Sequence, residues 1–178
     1  MTSPPSAPLI HCLGCGALVP KIDGPGPTHA YMLVSAGCWA TFGEVSAREY
    51  ADPAYRAHAL QLVDAYAVQH PGVPERRSAQ SVWLHLVSLC LRLEYGYADD
   101  AAIRTLQRLA SEHGTWGWLE PPASLGAVTV VDVHEAATPA EHVAAVRRWC
   151  ESAWDAWAVH HHEIASFAKD LQRPPARS

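Results

Sequence analysis

One pair of cysteines with metal-ligand spacing lies near the start of the sequence, in Cys12-Leu13-Gly14-Cys15-Gly16. Two thiolates separated by two residues can bind one tetrahedral ion, and a glycine after the second cysteine lets the backbone turn around the sulfur atoms. Residues 11–37 are rich in glycine and proline, which excludes a long helix there. The motif therefore predicts an irregular N-terminal segment held together by a metal ion, with zinc expected and iron not distinguished from it.

A single Cys-x-x-Cys pair supplies half of a tetrahedral site, so two further ligands must come from later in the chain. Cys38 is the expected third ligand because it lies where a helix begins, and a helix N-terminus favours a thiolate. His29, His70 and His161 compete for the fourth position, and His70 is preferred because it ends a predicted helix and precedes the rigid turn Pro71-Gly72. The predicted metal ligands are therefore Cys12, Cys15, Cys38 and His70.

Two other interpretations of the cysteines remain open. Cys90 and Cys150 lie in apolar helical stretches, where buried cysteines without a ligand are common. A redox role for the Cys-x-x-Cys pair is disfavoured, because a thioredoxin-like site expects a strand that leads into a helix at the motif. Gly16 is instead followed by a loop rich in proline and glycine. Cysteines that bind nothing are the remaining alternative.

The composition is typical of a folded protein, and its charge does not favour binding to nucleic acid. Hydrophobic residues make up 49% of the 178 residues and charged residues 17%, and the formal net charge is −5. The chain has no block of Lys and Arg, so it lacks the electrostatic footprint of a nucleic-acid or anionic-membrane binder. No apolar run approaches the roughly 20 residues that span a bilayer, and no signal peptide is recognisable. We expect a cytoplasmic protein whose five cysteines stay reduced.

Hydrophobic periodicity predicts a mainly α fold, a bundle of four to five helices with an irregular, metal-stapled N-terminal segment and at most a minor β element. Asp52-Pro53 and the capping box Thr138-Pro139-Ala140-Glu141 are helix start signals, and Ser78 is a candidate cap for a third helix. The β candidates are residues 29–34 and 126–133. The predicted helices cover about residues 37–50, 53–69, 78–94, 99–113 and 139–171.

The chain is predicted to form a single helical zinc-binding domain over residues 11–172. Residues 1–10 and 173–178 are predicted to be flexible tails, because proline is frequent in both.

Three polar residues lie on apolar helical patterns and are the catalytic candidates, should the protein be an enzyme. Asp64 lies within an apolar stretch, where it could orient a ligand histidine or lie at the surface. His85 belongs to a polar stripe on an apolar helix, which either meets solvent or lines an internal pocket. His161 falls on the inward seam of the last predicted helix.

Two functions are compatible with these features. The first is a zinc-binding helical protein whose metal is structural and which acts as a binding or interaction module for a small molecule or another protein. The second is a metal-dependent, hydrolase-like enzyme that uses Asp64, His85 and His161, and it requires that their polar atoms converge on a cavity. A redox or metal sensor is a third reading of the cysteine motif. The sequence contains no P-loop, dinucleotide fingerprint or H-E-x-x-H motif.

Three motifs resemble an uncharacterised bacterial family known only as a domain of unknown function. They are the Cys12/Cys15 motif, the segment around Gly37-Cys38-Trp39-Ala40, and the run Asp-Ala-Tyr-Ala-Val-Gln-His-Pro-Gly over residues 64–72. The resemblance covers roughly residues 11–168. It implies no known activity and assigns no catalytic roles, but it implies that the three cysteines and His70 belong to one pattern.

Overall fold

The computed structural model describes residues 8–24, 26, 28–111 and 116–170. Within these ranges the chain is mainly helical, with one small antiparallel sheet, which confirms the predicted fold class. The strands are β1 (Leu9–His11) and β2 (Leu18–Pro20). The helices are α1 (Ala36–Ala51), α2 (Ala59–Val68), α3 (Arg76–Leu93), α4 (Asp99–Ser111), α5 (Val130–His134), α6 (Pro139–Ala156) and α7 (His161–Asp170).

The two strands flank the Cys-x-x-Cys motif. They pair in antiparallel register with Ile10 opposite Val19, and the backbone N–H of Cys12 donates to the carbonyl of Ala17 at 2.8 Å across the turn. The predicted tail was therefore wrong for residues 9 and 10, whereas residues 1–7 lie outside the described part of the chain. The strand predicted at residues 29–34 is also wrong, because these residues lie in the loop between β2 and α1. The only strand partner of β1 among the described residues is β2, and the turn between them, Cys12–Gly16, is called the knuckle below.

The segment predicted as a strand at residues 126–133 instead contains the short helix α5. Its β-branched residues favour a strand, but local hydrogen bonds at the start of α5 favour a helix. The hydroxyl of Thr129 accepts from the N–H of Val131, and the carboxylate of Asp132 accepts from the N–H of Thr129 at 2.7 Å. This capping box outweighs the strand propensity of the segment, so the prediction was wrong.

Two predicted helices are divided in the structure. Asp52 accepts a hydrogen bond from the N–H of Ala54, as expected of a cap, but residues Pro53–His58 form a 3₁₀ turn before α2. The last predicted helix is interrupted after α6 by a second 3₁₀ turn, Ala158–His160. Its predicted end at residue 171 lies outside the described residues, as does the predicted tail 173–178. The capping box at Thr138 is confirmed.

Helix α3 begins two residues earlier than predicted, at Arg76. Ser78 is therefore not its cap. The Ser78 hydroxyl donates instead to the carbonyl of Tyr31 at 2.9 Å, which attaches the start of α3 to the loop that precedes α1.

Helix α2 lies at the centre of the fold and packs against both α3 and α6. The residue that follows it, Gln69, is fully buried. Its amide nitrogen donates to the carbonyls of Leu125 at 2.9 Å and Val128 at 2.8 Å, and its amide oxygen accepts from the indole of Trp149 at 2.8 Å. One side chain thus joins the end of α2 to α6 and to the loop before α5.

In the described part of the chain, no helix combines the length and the apolar character needed to cross a membrane.

We expect the substitution Gln69→Ala to lower the free energy of unfolding by about 3 kcal/mol, because it leaves one buried indole donor and two carbonyl acceptors without partners. Urea denaturation followed by circular dichroism measures this loss. Gln107→Ala, at an exposed position of α4, is the matched control and should change stability by less than about 0.5 kcal/mol. Equal effects of the two substitutions would contradict the role assigned to Gln69.

Candidate metal centre

Four side chains from three separate segments meet beside the hairpin. Cys12 and Cys15 lie on the turn between β1 and β2, Cys38 lies in the first turn of α1, and His70 follows α2. One ligand atom from each of them lies within 4.8 Å of all the others. Cys12, Cys38 and His70 are buried, and Cys15 is half-buried. The structure therefore brings together the four residues proposed from the sequence, in a cluster that could hold a metal ion.

Three of the distances between ligand atoms in the cluster fit a tetrahedral ion. His70 Nε2 lies 3.5 Å from the Sγ atoms of both Cys12 and Cys38, and the Sγ atoms of Cys15 and Cys38 are 3.9 Å apart. A tetrahedral zinc ion with ordinary bond lengths separates two sulfur ligands by about 3.8 Å and a sulfur from a nitrogen ligand by about 3.6 Å. The side chains are thus spaced for coordination.

The backbone of the knuckle has the geometry that the glycine after the second cysteine suggested. The N–H of Gly16 donates to the carbonyl of Cys12 at 3.1 Å, and Gly16 has a φ of 74°. This left-handed conformation is readily adopted by glycine and disfavours residues with a Cβ atom. The turn therefore folds both cysteines toward one side of the hairpin.

Gly14 is a structural member of the site that was not among the predicted residues. A Cβ atom at this position would lie 2.3 Å from the carbonyl oxygen of Leu33 and 2.6 Å from Cδ2 of His70. The absence of a side chain therefore lets the knuckle approach the imidazole closely. A glycine between the two cysteines was a visible signal, but its neighbour His70 is distant in sequence.

Tyr66 orients the histidine and contacts one of the thiols. Its carbonyl oxygen is 2.7 Å from His70 Nδ1, which directs Nε2 toward the sulfur atoms, and its hydroxyl donates to Cys38 Sγ at 3.7 Å. Its ring centroid also lies 4.1 Å from that of His70. A carbonyl partner for the second ring nitrogen is typical of histidines that bind metals. The proposal that Asp64 orients the ligand histidine was wrong, because this backbone carbonyl does so.

The pKa values of three of the four groups are strongly perturbed. The pKa of Cys12 lies far below the ordinary thiol value because Cys15 and Cys38 donate hydrogen bonds to its sulfur. The pKa of Cys38 is raised far above that value, chiefly by its hydrogen bond to Cys12. Burial lowers the pKa of His70, but the hydrogen bonds and the charge interactions with Cys12 and Cys15 together outweigh burial and raise the pKa to about 9. Of these three groups, Cys12 is the one whose shift favours the thiolate, and it is the anionic group to which a cation could bind.

The remaining cysteines lie outside the cluster, as the sequence analysis expected. Cys90 and Cys150 are fully buried among apolar residues. Burial raises the pKa of Cys90 to about 11 and raises that of Cys150 as well. Neither belongs to the group of ligand atoms that lie within 4.8 Å of one another, so both are buried side chains of the apolar core.

The two histidines that competed with His70 are placed elsewhere. His29 packs against the rings of Tyr31 and Trp39, with centroid distances of 4.3 Å and 5.3 Å. His161 is half-buried and stacks on Trp154 with a centroid distance of 3.8 Å. Its Nε2 atom forms a hydrogen bond with the carbonyl of Trp154.

Asp64 is the centre of a second, purely polar cluster. His85 Nδ1 lies 2.7 Å from one carboxylate oxygen, and the other oxygen accepts from the hydroxyl of Ser88 and from Arg92 Nη1. Asp64, Ser88 and Arg92 are buried, while the side chain of His85 is 24% exposed. The polar stripe of α3 therefore does not face solvent, since most of it is satisfied by a carboxylate from α2, and Asp64 is not a surface residue.

The three catalytic candidates do not form one group. Asp64 and His85 are paired, but no hydrogen bond among the described residues joins either of them to His161. The enzyme hypothesis requires that all three side chains converge on one cavity. These contacts do not support that convergence.

Comparison with known proteins identifies a family but no activity. A family model described as a family of unknown function, DUF5946, matches residues 10–158. The match includes all four residues of the cluster and confirms the resemblance to an uncharacterised family. No curated protein and no solved structure matches this chain significantly.

We expect Gly14→Ala to destabilise the protein by about 1–3 kcal/mol, because the new methyl group forces the knuckle away from His70 and Leu33. The thiols of the knuckle should also react faster with Ellman's reagent. Both urea denaturation and the rate of thiol modification measure the change.

Gly43→Ala is the matched control. A Cβ atom at Gly43, within α1, would meet no atom within 4 Å, so this substitution should raise the free energy of unfolding by about 0.5–1 kcal/mol through helix propensity. Effects of the same sign in both variants would contradict the close approach proposed for Gly14.

Proposed function

The chain belongs to the DUF5946 family, whose function is unknown, and we propose from its Cys₃His cluster that it is a helical domain stabilised by one structural zinc ion. The observation that supports the proposal is the convergence of four ligand atoms within 4.8 Å of one another. Three thiolates and an imidazole are a donor set that suits zinc in tetrahedral structural sites. Metal analysis decides between zinc and iron.

A structural rather than a catalytic role follows from the ligand count. A catalytic zinc ion keeps one position for water or substrate, whereas a structural ion has four protein ligands. Cys12, Cys15, Cys38 and His70 supply all four, and three of them are buried. The ion would link the hairpin, the start of α1 and the end of α2, so its binding free energy would add to the folding free energy of the domain.

We propose that the stabilised domain acts in the cytoplasm as a binding or interaction module. Its partner would be a small molecule or another protein. Exposed apolar side chains around the knuckle support a binding role, since such groups are typical of contact surfaces. Leu9 is 59% exposed, Leu13 at the tip of the knuckle 69%, and Leu18 52%.

We expect protein purified without a histidine tag to contain about one zinc ion per chain, as measured by inductively coupled plasma mass spectrometry. Cys12→Ser should lose most of the metal, because it removes a buried ligand. Cys90→Ala removes a buried thiol outside the cluster and should keep the full metal content. Iron in place of zinc would contradict the assigned metal, and full occupancy in Cys12→Ser would contradict the assigned site.

Removal of the ion should lower the free energy of unfolding by several kcal/mol, because the three linked segments lose their common ligand and the thiols are left crowded together. Thermal unfolding before and after treatment with a strong chelator measures the loss, and added zinc should restore the original melting temperature. Cys38→Ser serves as the control, since a protein that no longer holds zinc should not respond to the chelator. Equal melting temperatures of the wild-type protein before and after chelator treatment would contradict a structural metal.

A further inference from the structure

A cavity of about 510 Å³ lies further along α1 than Cys38, between α1, the 3₁₀ turn Pro53–His58, α2 and the start of α4. Its volume falls in the range typical of small-molecule sites, about 300–1,000 Å³. The apolar part of its wall consists of Phe42, Leu60, Leu62 and Val63. Two carboxylates, of Glu49 and Asp99, also line it.

Glu49 is a nearly completely buried carboxylate, with 3% of its surface exposed. Its Oε1 atom lies 2.9 Å from Nε2 of the fully buried His142. No hydrogen bond among the described residues uses its second oxygen, Oε2. Burial raises the pKa of Glu49, and the contact with His142 opposes this effect. A donor or a cation in the cavity would therefore stabilise a carboxylate that the protein satisfies only in part.

Asp99 likewise has a hydrogen-bond partner for only one of its two carboxylate oxygens among the described residues. Its Oδ1 accepts from Arg92 Nε at 2.9 Å, and within the described ranges its Oδ2 has no hydrogen bond. Its side chain is 45% exposed, which places it nearer to solvent than Glu49.

One cation, Arg56, also lines the cavity, but its donors point to the backbone. Arg56 Nε donates to the carbonyl of Glu49 at 3.2 Å, and Nη2 donates to the carbonyl of Tyr50 at 3.0 Å. Its guanidinium carbon also lies 5.8 Å from the centroid of the Tyr50 ring. The lining contains two carboxylates and one guanidinium, and Arg92 forms an ion pair with Asp99 from outside the lining. The Glu49 carboxylate is therefore the group that disfavours an anionic ligand.

We propose that this cavity binds a small organic amine. The protonated amino group lies beside Glu49 and Asp99 and donates to their free oxygens, while an aromatic or aliphatic body packs against the apolar wall. A neutral ligand of the same shape without a strong donor would leave the buried carboxylate desolvated, so the site discriminates in favour of the ammonium group. The proposal does not depend on the metal centre.

Isothermal titration calorimetry of the full chain with three probes of similar shape tests this specificity. The probes are 2-phenylethylammonium, 2-phenylethanol and 3-phenylpropanoate at neutral pH. We expect the ammonium probe to bind about tenfold more tightly than the alcohol, and the carboxylate to show no binding. Equal affinity for the ammonium and alcohol probes, or no binding of the ammonium probe at millimolar concentration, would overturn the proposal.

Variants locate the binding to this cavity. Glu49→Gln keeps an acceptor for His142 and removes the charge, so it should weaken binding of the ammonium probe by about tenfold. Val63→Trp places a large ring at the mouth of the cavity, where Val63 is 41% exposed, and should abolish binding without disturbing the fold. Val159→Trp, at a 77% exposed position outside the lining, is the matched control and should bind like the wild type.

These variants separate binding in the cavity from binding elsewhere. Should Glu49→Gln fail to fold, Val63→Trp still decides the question. Unchanged affinity of Val63→Trp for the ammonium probe would refute this cavity as the site.

Discussion

The close approach of three sulfur atoms and one imidazole nitrogen joins the hairpin, the start of α1 and the end of α2. His70 Nε2 is 3.5 Å from the sulfur atoms of both Cys12 and Cys38, although these residues lie on a hairpin turn and on a helix N-terminus. The hairpin has only three residues in each strand, and several of its side chains are exposed. Such a small sheet is only marginally stable alone, so it depends on this cluster and on the packing of the buried Val19 and of Pro20 against the start of α1.

Tyr66 connects the cluster to the rest of the fold. Its carbonyl and hydroxyl groups contact His70 and Cys38, and its ring stacks on Phe42 with a centroid distance of 4.0 Å. Phe42 in turn forms part of the wall of the cavity beside Glu49. The proposed metal site and the proposed amine site therefore share the interface between α1 and α2, one on each side of a stack of two aromatic rings.

Local patterns predicted those features of the fold that are decided within a few residues. The capping box at Thr138 and the turn around Cys12 and Cys15 were recognisable because their hydrogen bonds join near neighbours. Predictions failed where two local preferences compete. Residues 126–133 have the composition of a strand, but the capping box at Thr129 starts a helix. Apolar spacing continues through residues 139–171, but the chain leaves the α-helix between α6 and α7.

By itself, the sequence determined the mainly helical class, the knuckle and the four residue types able to bind a metal, because periodicity and ligand spacing are local properties. Only the tertiary structure decided which distant groups meet. It paired Asp64 with His85 from α3 and brought His70 to Cys12 and Cys38. It placed His161 against Trp154, with no hydrogen bond to Asp64 or His85 among the described residues. The packing of α2 between α3 and α6 controls these contacts. A buried carboxylate takes whichever donors that packing brings within hydrogen-bonding distance, and residue spacing alone does not specify them.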